Sequence, residues 1–377
     1  MKRRISAIGL ILFWGLTCIC NAHHLMEQLV AEESDESIPI WGHTEPSQNM
    51  DAQYESLSKL LSNNPYVQGV TIKVRWNTLH PTEEYFNIEG LSRLVDLCTK
   101  KGVDIGFELQ PGWWTPEWVM AKGVDNIGPM SIGSVRSGTI DKCPMVWDAT
   151  YKKYLKADLR RIAHLLNNNP RVRTITLMGH NYKGSEMHVA KVNEIMIKKG
   201  FSEELVLNEW EEWMDFYATT FASDKRLLLC VSQTYTRDLP AKIVDLFVSK
   251  YKERAELNNC QLDGRQDMAA NGSMICKLME KYPDVPISFE MVGSFMEQPE
   301  RQGSAEMTIY NARNIGKVCY LRLWRRDLTD TCYAENLVKA WDKYKHLSLS
   351  DFKKRLIEEG LYKEKSTWKR PLVINHD

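Results

Sequence analysis

The sequence predicts an α/β fold: a single (β/α)₈ barrel of the TIM type, followed by two extra C-terminal helices. Eight short apolar runs alternate with amphipathic segments. Strands that are apolar throughout and flanked by helices indicate a parallel sheet covered on both faces. No repeat period and no break in composition divides the chain. No glycine-rich dinucleotide motif follows the first strand, which argues against an open doubly wound sheet.

The elements alternate in order along the chain. The predicted strands cover residues 38–41, 67–76, 103–110, 172–178, 226–232, 259–263, 286–291 and 317–324. The predicted helices cover residues 53–61, 88–101, 149–166, one or two segments within 187–222, then 238–256, 273–282, 304–314, 333–345 and 350–359. The count of eight strand–helix units favours a closed barrel.

Local signals support individual helices. In segment 88–101 the residues Leu91, Leu94, Val95 and Cys98 share one face, and Gly102 follows as a stop signal. Ser202 precedes two glutamates, which is typical of a helix N-cap and first turn.

The N-terminus has the pattern of a cleavable signal peptide. A basic segment at residues 2–4 precedes an apolar stretch, 5–20, and small residues stand before a cut after Ala22. The apolar stretch is shorter than the roughly 20 residues that span a bilayer. We therefore expect a signal peptide over 1–22, a flexible polar leader over 23–37, and the barrel domain over 38–377. This predicts a secreted or periplasmic protein with no membrane attachment after cleavage.

Composition limits the class of ligand. The chain has 377 residues, a formal net charge of zero, 12 tryptophans and 15 tyrosines. A balanced charge argues against electrostatic binding of nucleic acid. Abundant aromatic side chains suit a neutral ligand that is held by stacking and hydrogen bonds, such as a carbohydrate. The sequence does not indicate the oligomeric state.

The cysteine and histidine patterns predict neither a metal nor a cofactor. Outside the signal peptide seven cysteines remain, none in a C-x-x-C pair: Cys98, Cys143, Cys230, Cys260, Cys276, Cys319 and Cys332. An odd, scattered set is neither a disulfide framework nor a zinc site, although one or two disulfides can form after export. No zinc-binding histidine motif and no serine-nucleophile elbow occurs.

Two stretches carry the predicted chemistry. Segment 174–187 contains Glu186 after a strand, and segment 285–293 contains Glu290 at the end of a strand. Barrel enzymes keep their reactive residues at the C-terminal strand ends. A pair of carboxyl groups across one mouth suits cleavage of a glycosidic bond, with one as acid and the other as nucleophile. Glu186 and Glu290 are therefore the candidate catalytic residues.

Neighbouring charged residues leave alternatives open. Arg75 ends the second strand, and an inward-facing arginine needs a carboxylate partner, so we expect it to bond to Glu290. Glu108 ends the third strand and competes with Glu186 for the role of acid. A structural role for each of these side chains remains the competing interpretation.

Further strand ends supply candidate substrate-binding residues. Trp76 follows the second strand, and Trp113 and Trp114 stand in a tryptophan-rich loop after the third. Aromatic rings can stack on sugar faces, although such rings can also simply cap a barrel. The complete predicted set of substrate-binding residues is Arg75, Trp76, Glu108, Trp113, Trp114, His180, Asn181 and Trp324.

Two motifs resemble one family. The run from Ile72 to Pro81, with 83–88 and the helix after it, looks like the second strand–helix unit of clan A glycoside hydrolases. It is most similar to the β-galactosidase-like glycoside hydrolase family 42 and its relatives. Residues 84–87 stand where that pattern has Gly-x-Tyr/Phe-Asp, and the loop 111–118 resembles the loop after strand three. The resemblance covers most of 38–325.

The resemblance implies a retaining glycoside hydrolase that needs no cofactor. In clan A the acid/base follows strand four and the nucleophile ends strand seven, which implies Glu186 and Glu290, with Arg75 as hydrogen-bonding partner. One departure stands out: the clan has adjacent Asn-Glu, but here four residues separate Asn181 from Glu186. The alternatives are a non-catalytic carbohydrate-binding barrel and a barrel enzyme of another type, such as a lyase with Glu290 as base.

Overall fold

The computed structural model describes residues 37–366 except 129, 132–138, 141, 183, 187–193, 233 and 331. The predicted signal peptide and all but the last residue of the predicted leader lie outside these residues. Eight parallel strands close into a barrel in which every strand pairs with its neighbours in chain order. The predicted (β/α)₈ fold is confirmed.

The barrel strands take the same order as the predicted ones. They are β1 (Ile40–His43), β2 (Val67–Arg75), β3 (Asp104–Gln110), β4 (Val172–Thr176), β5 (Arg226–Cys230), β6 (Ala255–Leu262), β7 (Ile287–Met291) and β8 (Val318–Arg322). A short antiparallel pair, Met130–Ser131 with Thr139–Ile140, stands in the loop after β3.

Helices surround the barrel. They are Met50–Asn63, Trp76–Leu79, Ile88–Lys100, Glu117–Met120, Ala149–Leu166, Glu194–Lys198, Glu203–Thr220, Leu239–Tyr251, Met274–Lys281, Pro299–Gln302, Ala305–Ile315, Arg325–Thr329, Cys332–Tyr344 and Leu349–Glu358, with a 3₁₀ turn at Gly112–Trp114. The last two are the predicted extra helices. Ser202 caps its helix as expected, because its side chain accepts a hydrogen bond from the Leu205 backbone N–H.

The sixth strand departs most from its predicted bounds. Residues 255 and 256 were assigned to the end of the preceding helix, and 257 and 258 to no element, but all four begin β6. Glu256 and Asn258 lie in this strand and are fully buried. Polar residues in a barrel strand hide the apolar run by which a buried strand is recognised.

The barrel interior is divided into two parts. Trp41 and Tyr320 stack in the lower part with ring centroids 3.9 Å apart, and Leu228 and Cys230 pack against them. Gly69 makes room for this stack, since a Cβ there would lie 2.2 Å from the Trp41 indole. The upper part is polar, so the C-terminal strand ends open onto charged and hydrogen-bonding groups. None of the helices in the described residues has the length and apolar character that a membrane crossing requires.

Candidate active site

Glu290 is the centre of the polar upper part of the barrel. It stands in β7, paired in register with Arg322 of β8, and it is 6 % exposed. Its neighbours Phe289 and Met291 are buried as well. Alternation along the strand sends these apolar side chains to the opposite face. The sequence therefore fixes the carboxylate on the inner face of the barrel.

Two cations hold one oxygen of this carboxylate. Glu290 Oε2 lies 3.0 Å from Lys73 Nζ, which donates a hydrogen bond, and 2.9 Å from Arg322 Nε. The Arg322 N–H is not aligned for a hydrogen bond, so that contact is an ion pair. His43 Nδ1 lies 3.9 Å from the same oxygen. Glu290 Oε1 makes none of these contacts and is left for a ligand.

The surrounding charges keep Glu290 ionised. Burial alone would raise its pKa, but the charges of Lys73 and Arg322 outweigh burial and hold the pKa well below its ordinary value. Burial and the two cations lower the pKa of His43 to about 3, so this imidazole stays neutral. The carboxylates of Glu290 and Glu108 outweigh the effect of burial on Lys73 and raise the pKa of its ammonium group.

Arg322 is anchored from two further strands. Its Nη1 donates to Thr71 Oγ1 of β2 at 3.1 Å, and its Nη2 donates to Asn258 Oδ1 of β6 at 3.1 Å. The side chain is fully buried. These two bonds fix the position of the buried guanidinium and, through the ion pair, that of the carboxylate it faces.

The predicted hydrogen bond between Arg75 and Glu290 is not formed, so this prediction is wrong. The guanidinium of Arg75 lies over the Trp114 ring, 3.9 Å from its centroid. Lys73, two residues earlier on the same face of β2, pairs with Glu290 instead. The physical reason is depth: Arg75 is the last residue of β2, whereas Lys73 lies further down, level with Glu108.

Glu108 is a buried neighbour of Lys73. Its Oε1 accepts a hydrogen bond of 2.8 Å from Gln110 Nε2, and it shows no exposed surface. The two residues Lys73 and Glu108 pair in register between β2 and β3. Its charge acts on Lys73, so Glu108 helps to keep that ammonium protonated.

Glu186 stands on a loop whose closure explains its separation from Asn181. The fully buried Asn181 donates from Nδ2 to the backbone oxygens of Ser185, at 2.9 Å, and of Glu186, at 3.1 Å. The amide thus closes the loop on itself and brings Glu186 back toward the end of β4. The hydrogen bond with Cys230 and burial raise the pKa of the Cys260 thiol, and the charges of Glu290 and Glu186 add to this effect.

The loops after β3 and β4 are joined by their backbones. Trp113 N donates to Tyr182 O at 2.9 Å. Gly112 has φ of 63°, and a Cβ there would lie 2.6 Å from the Asn181 oxygen, so the close approach requires glycine. The tryptophan loop is therefore held against the loop that carries Glu186.

His180 lies in an aromatic enclosure at the end of β4. Its ring is 6.0 Å from that of Trp147 and nearly parallel to it, and Trp210 and Tyr235 lie 6.3 and 6.0 Å away. Burial, together with the charge of Lys152, lowers the pKa of His180 to about 3. Neither ring nitrogen bonds to another described group.

The predicted aromatic residues separate into two groups. Trp324 follows β8 and lies beside His43, with ring centroids 5.3 Å apart, and Trp114 lies under Arg75, the last residue of β2. Trp113 is partly buried and packs on the core. The prediction that Trp76 binds substrate is wrong. This residue is fully buried, and its Nε1 donates a hydrogen bond to Asp158 Oδ2 at 2.7 Å. It cannot bind substrate because its indole is packed against the helix Ala149–Leu166.

Several buried polar atoms without a hydrogen-bond partner among the described residues lie at or near the C-terminal strand ends. They include His43 Nδ1, Arg75 Nε, Glu108 Oε2, both nitrogens of His180, Asn181 Oδ1 and Ser232 Oγ. Buried polar groups are almost always hydrogen-bonded, so a cluster of open ones marks a place for water or a polar ligand. Among the described residues, no group of three or more His, Cys, Asp or Glu side chains is arranged to hold a metal ion.

Lys73 and His43 were not predicted from the sequence as site residues, and no role was predicted for Arg322. A signal for Lys73 was present, since a lysine inside an otherwise apolar strand is costly unless it is paired. No comparable signal marked His43, because β1 is short and its neighbours give no period.

Comparisons with known proteins show the fold. No protein-family model and no curated protein matches this chain. Among solved structures, the chain resembles a GH5_18 glycoside hydrolase variant from Streptomyces cattleya, with a TM-score of 0.52, 14% identity and coverage of 82% of each chain. It also resembles one from Bifidobacterium longum, with a TM-score of 0.52, 11% identity and coverage of 82% of this chain and 79% of the other. Both neighbours are TIM barrels in complex with Manβ1-4GlcNAc, and no likeness to family 42 in particular emerges.

Proposed function

We propose that the protein is a glycoside hydrolase that cleaves an oligo- or polysaccharide by a retaining two-glutamate mechanism. The observation that carries the proposal is the state of Glu290. This carboxylate ends a barrel strand, is kept ionised by Lys73 and Arg322 on Oε2, and leaves Oε1 open. A nucleophilic carboxylate has to meet these three conditions.

In the proposed mechanism Glu290 Oε1 attacks the anomeric carbon while Glu186 donates a proton to the leaving oxygen. The glycosyl–enzyme ester is then hydrolysed by water that Glu186 deprotonates. Lys73 and Arg322 hold the carboxylate at a fixed angle before and after the bond forms. Glu108 competes for the acid role, but it is fully buried, bonded to Gln110 and level with Lys73, so we assign it to positioning Lys73.

The aromatic rings and open polar atoms of the mouth support a carbohydrate ligand. Trp324 lies beside His43, a neighbour of Glu290, and Trp114 lies under Arg75 at the end of β2. Sugar C–H faces bind aromatic rings of this kind. Manβ1-4GlcNAc is bound in both similar structures and is the first disaccharide to try. Export through the N-terminal segment 1–22 is part of the proposal, and N-terminal sequencing of the mature protein tests it.

The deciding experiment compares two substitutions of the same type in the same region. Glu290→Gln removes the charge of the proposed nucleophile. Glu297→Gln removes an exposed carboxylate on the loop after β7, where it pairs with Arg326. Both variants and the unaltered protein are assayed on aryl glycosides and on β-linked oligosaccharides that include Manβ1-4GlcNAc.

We expect Glu290→Gln to lower turnover by roughly 10⁴-fold or more and Glu297→Gln to leave it unchanged. Full turnover by folded Glu290→Gln contradicts the proposed mechanism. Binding of the sugars without turnover by the unaltered protein indicates a carbohydrate-binding barrel instead.

A further inference from the structure

Two thiols meet at the floor of the barrel mouth. Cys230 is the last residue of β5, and Cys260 lies on β6. Their Sγ atoms are 3.4 Å apart. A sulfur–sulfur bond is about 2.05 Å long, so the two atoms must approach each other by roughly 1.4 Å for the bond to form.

The thiol pair is linked to Glu290 through two side chains. Cys260 Sγ donates to Asn258 Oδ1 at 3.4 Å. The same oxygen accepts a hydrogen bond of 3.1 Å from Arg322 Nη2, and Arg322 Nε lies 2.9 Å from Glu290 Oε2. Any change at Cys260 therefore acts on the anchor of the cation that holds the carboxylate.

Cys260 is also the accessible member of the pair. It is partly exposed, whereas Cys230 is 1 % exposed and packs on the stack of Trp41 and Tyr320. The hydrogen bond with Cys230, burial, and the charges of Glu290 and Glu186 together raise the pKa of the Cys260 thiol.

We propose that Cys230 and Cys260 form a reversible disulfide that controls the position of Arg322 and, through it, of Glu290. A soluble disulfide such as oxidised glutathione is the oxidant. Cys260 attacks one glutathione sulfur and releases the first glutathione thiol. Cys230 then attacks Cys260 Sγ, forming the protein disulfide and releasing the second glutathione thiol. The protein loses two protons and two electrons, and the oxidant gains them.

The disulfide removes the S–H donor of Cys260. Asn258 Oδ1 loses one of its two donors, and the amide is then held by Arg322 and by its own Nδ2 bonds to Ser288. Since both sulfurs move, Arg322 shifts with Asn258. A small displacement of a reacting carboxylate lowers turnover by about tenfold to a hundredfold. This effect on turnover rests on the proposed function, but formation of the disulfide does not.

The test uses the full mature protein incubated with oxidised glutathione at mildly alkaline pH, and a second portion kept in dithiothreitol. Proteolysis without reduction, followed by mass spectrometry, detects a peptide in which Cys230 and Cys260 are joined. Turnover is measured on both portions and again after dithiothreitol is added to the oxidised one. The variants are Cys260→Ser, which cannot form the bond, and Cys332→Ser, which removes an exposed cysteine far from the barrel interior.

We expect the joined peptide in the unaltered protein and in Cys332→Ser, together with a loss of turnover that dithiothreitol restores. Cys260→Ser should show neither. Absence of the joined peptide, while Cys332 takes up glutathione, overturns the proposal. A joined peptide with unchanged turnover overturns its effect on Glu290. If no sugar is cleaved by the reduced protein, the proposed function fails, and the joined peptide still decides whether the disulfide forms.

Discussion

Glu290 and Glu186 are the two halves of one proposed site, yet the fold holds them in different ways. Glu290 is part of β7, and side chains of β2 and β8 fix its carboxylate through charge. Glu186 lies ten residues beyond Thr176, the end of β4, on a loop that Asn181 closes through backbone oxygens. A strand fixes a side chain by register, whereas a loop fixes it by local hydrogen bonds. A side chain fixed by a strand suits the proposed nucleophile, Glu290. A side chain on a loop suits the proposed acid/base, Glu186, which must first donate a proton and then accept one.

After the loss expected for Glu290→Gln, the largest expected effect is that of Glu186→Gln, and it depends on the leaving group of the substrate. We expect Glu186→Gln to lower turnover of poorly activated aryl glycosides by about 10²- to 10⁴-fold, because these need a proton from the acid. Dinitrophenyl glycosides, which leave without a proton, should be cleaved much better by this variant. Glu108→Gln is the matched control, since it removes the rival carboxylate.

The dependence of turnover on the pKa of the leaving group, measured for both variants, decides whether Glu186 or Glu108 is the acid. A steep dependence for Glu108→Gln and a flat one for Glu186→Gln would transfer the acid role to Glu108.

The second prediction concerns the cations of Glu290. Arg322→Met and Lys73→Met each remove one charge from Oε2, and each should lower kcat by about 10²-fold, in the range seen when one electrostatic contact of a reacting group is lost. Arg75→Met is the matched control, because Arg75 lies over Trp114. Kinetics on folded protein, checked by circular dichroism, measure the difference. An equal loss in kcat for Arg75→Met would contradict the assignment of the cations.

Regular elements account for most of what the sequence predicted correctly. The position of Glu290 could be predicted from β7. The apolar side chains on either side of it face the surrounding helices, so the glutamate near the C-terminal end of the strand faces the barrel interior. The partner of that glutamate could not be predicted in this way. Lys73 and Arg75 share a face of β2, and only the depth of the carboxylate in the closed barrel selects between them.

The features that could not be predicted from the sequence lie in loops and in strands with polar residues. The route of residues 181–186 depends on the Asn181 amide, which no periodicity reveals. Strand β6 starts four residues before its predicted first residue, and its first half gave no apolar pattern because it contains the buried polar residues Glu256 and Asn258. Trp76 was assigned to the mouth from its place after β2, but the direction of a side chain at a strand end depends on the helix that follows.

A third prediction tests the separation of the aromatic residues. Trp76→Phe removes the bond from Nε1 to the buried Asp158, and should lower the free energy of unfolding by about 1–3 kcal/mol without changing KM. Trp114→Phe weakens the contact under Arg75, and should raise KM with little change in stability. Urea unfolding and steady-state kinetics on both variants distinguish the two effects. A raised KM for Trp76→Phe would show instead that Trp76 contributes to substrate binding.

The smallest expected effect is a pH dependence of stability that belongs to Glu290. Its folded pKa lies below its ordinary value of 4.5, so its ion pairs stabilise the fold fully above that pH. Their contribution is lost as the pH falls through the folded pKa, by about 1.4 kcal/mol for each pKa unit of depression. The stability difference between the unaltered protein and Glu290→Gln should therefore be constant near neutral pH and shrink in acid. A difference that grows as the pH falls would show that Glu290 is protonated in the fold.

The most direct test of the account is chemical trapping of the nucleophile. The sugar that is cleaved in the activity screen is supplied as its deoxyfluoro glycosyl fluoride, which slows hydrolysis of the glycosyl–enzyme ester more than its formation. Proteolysis and mass spectrometry then locate the attached sugar. We expect one sugar per protein molecule, on the peptide that contains Glu290, and release of a product with retained anomeric configuration. A label on another residue, or an inverted product without any label, would contradict it.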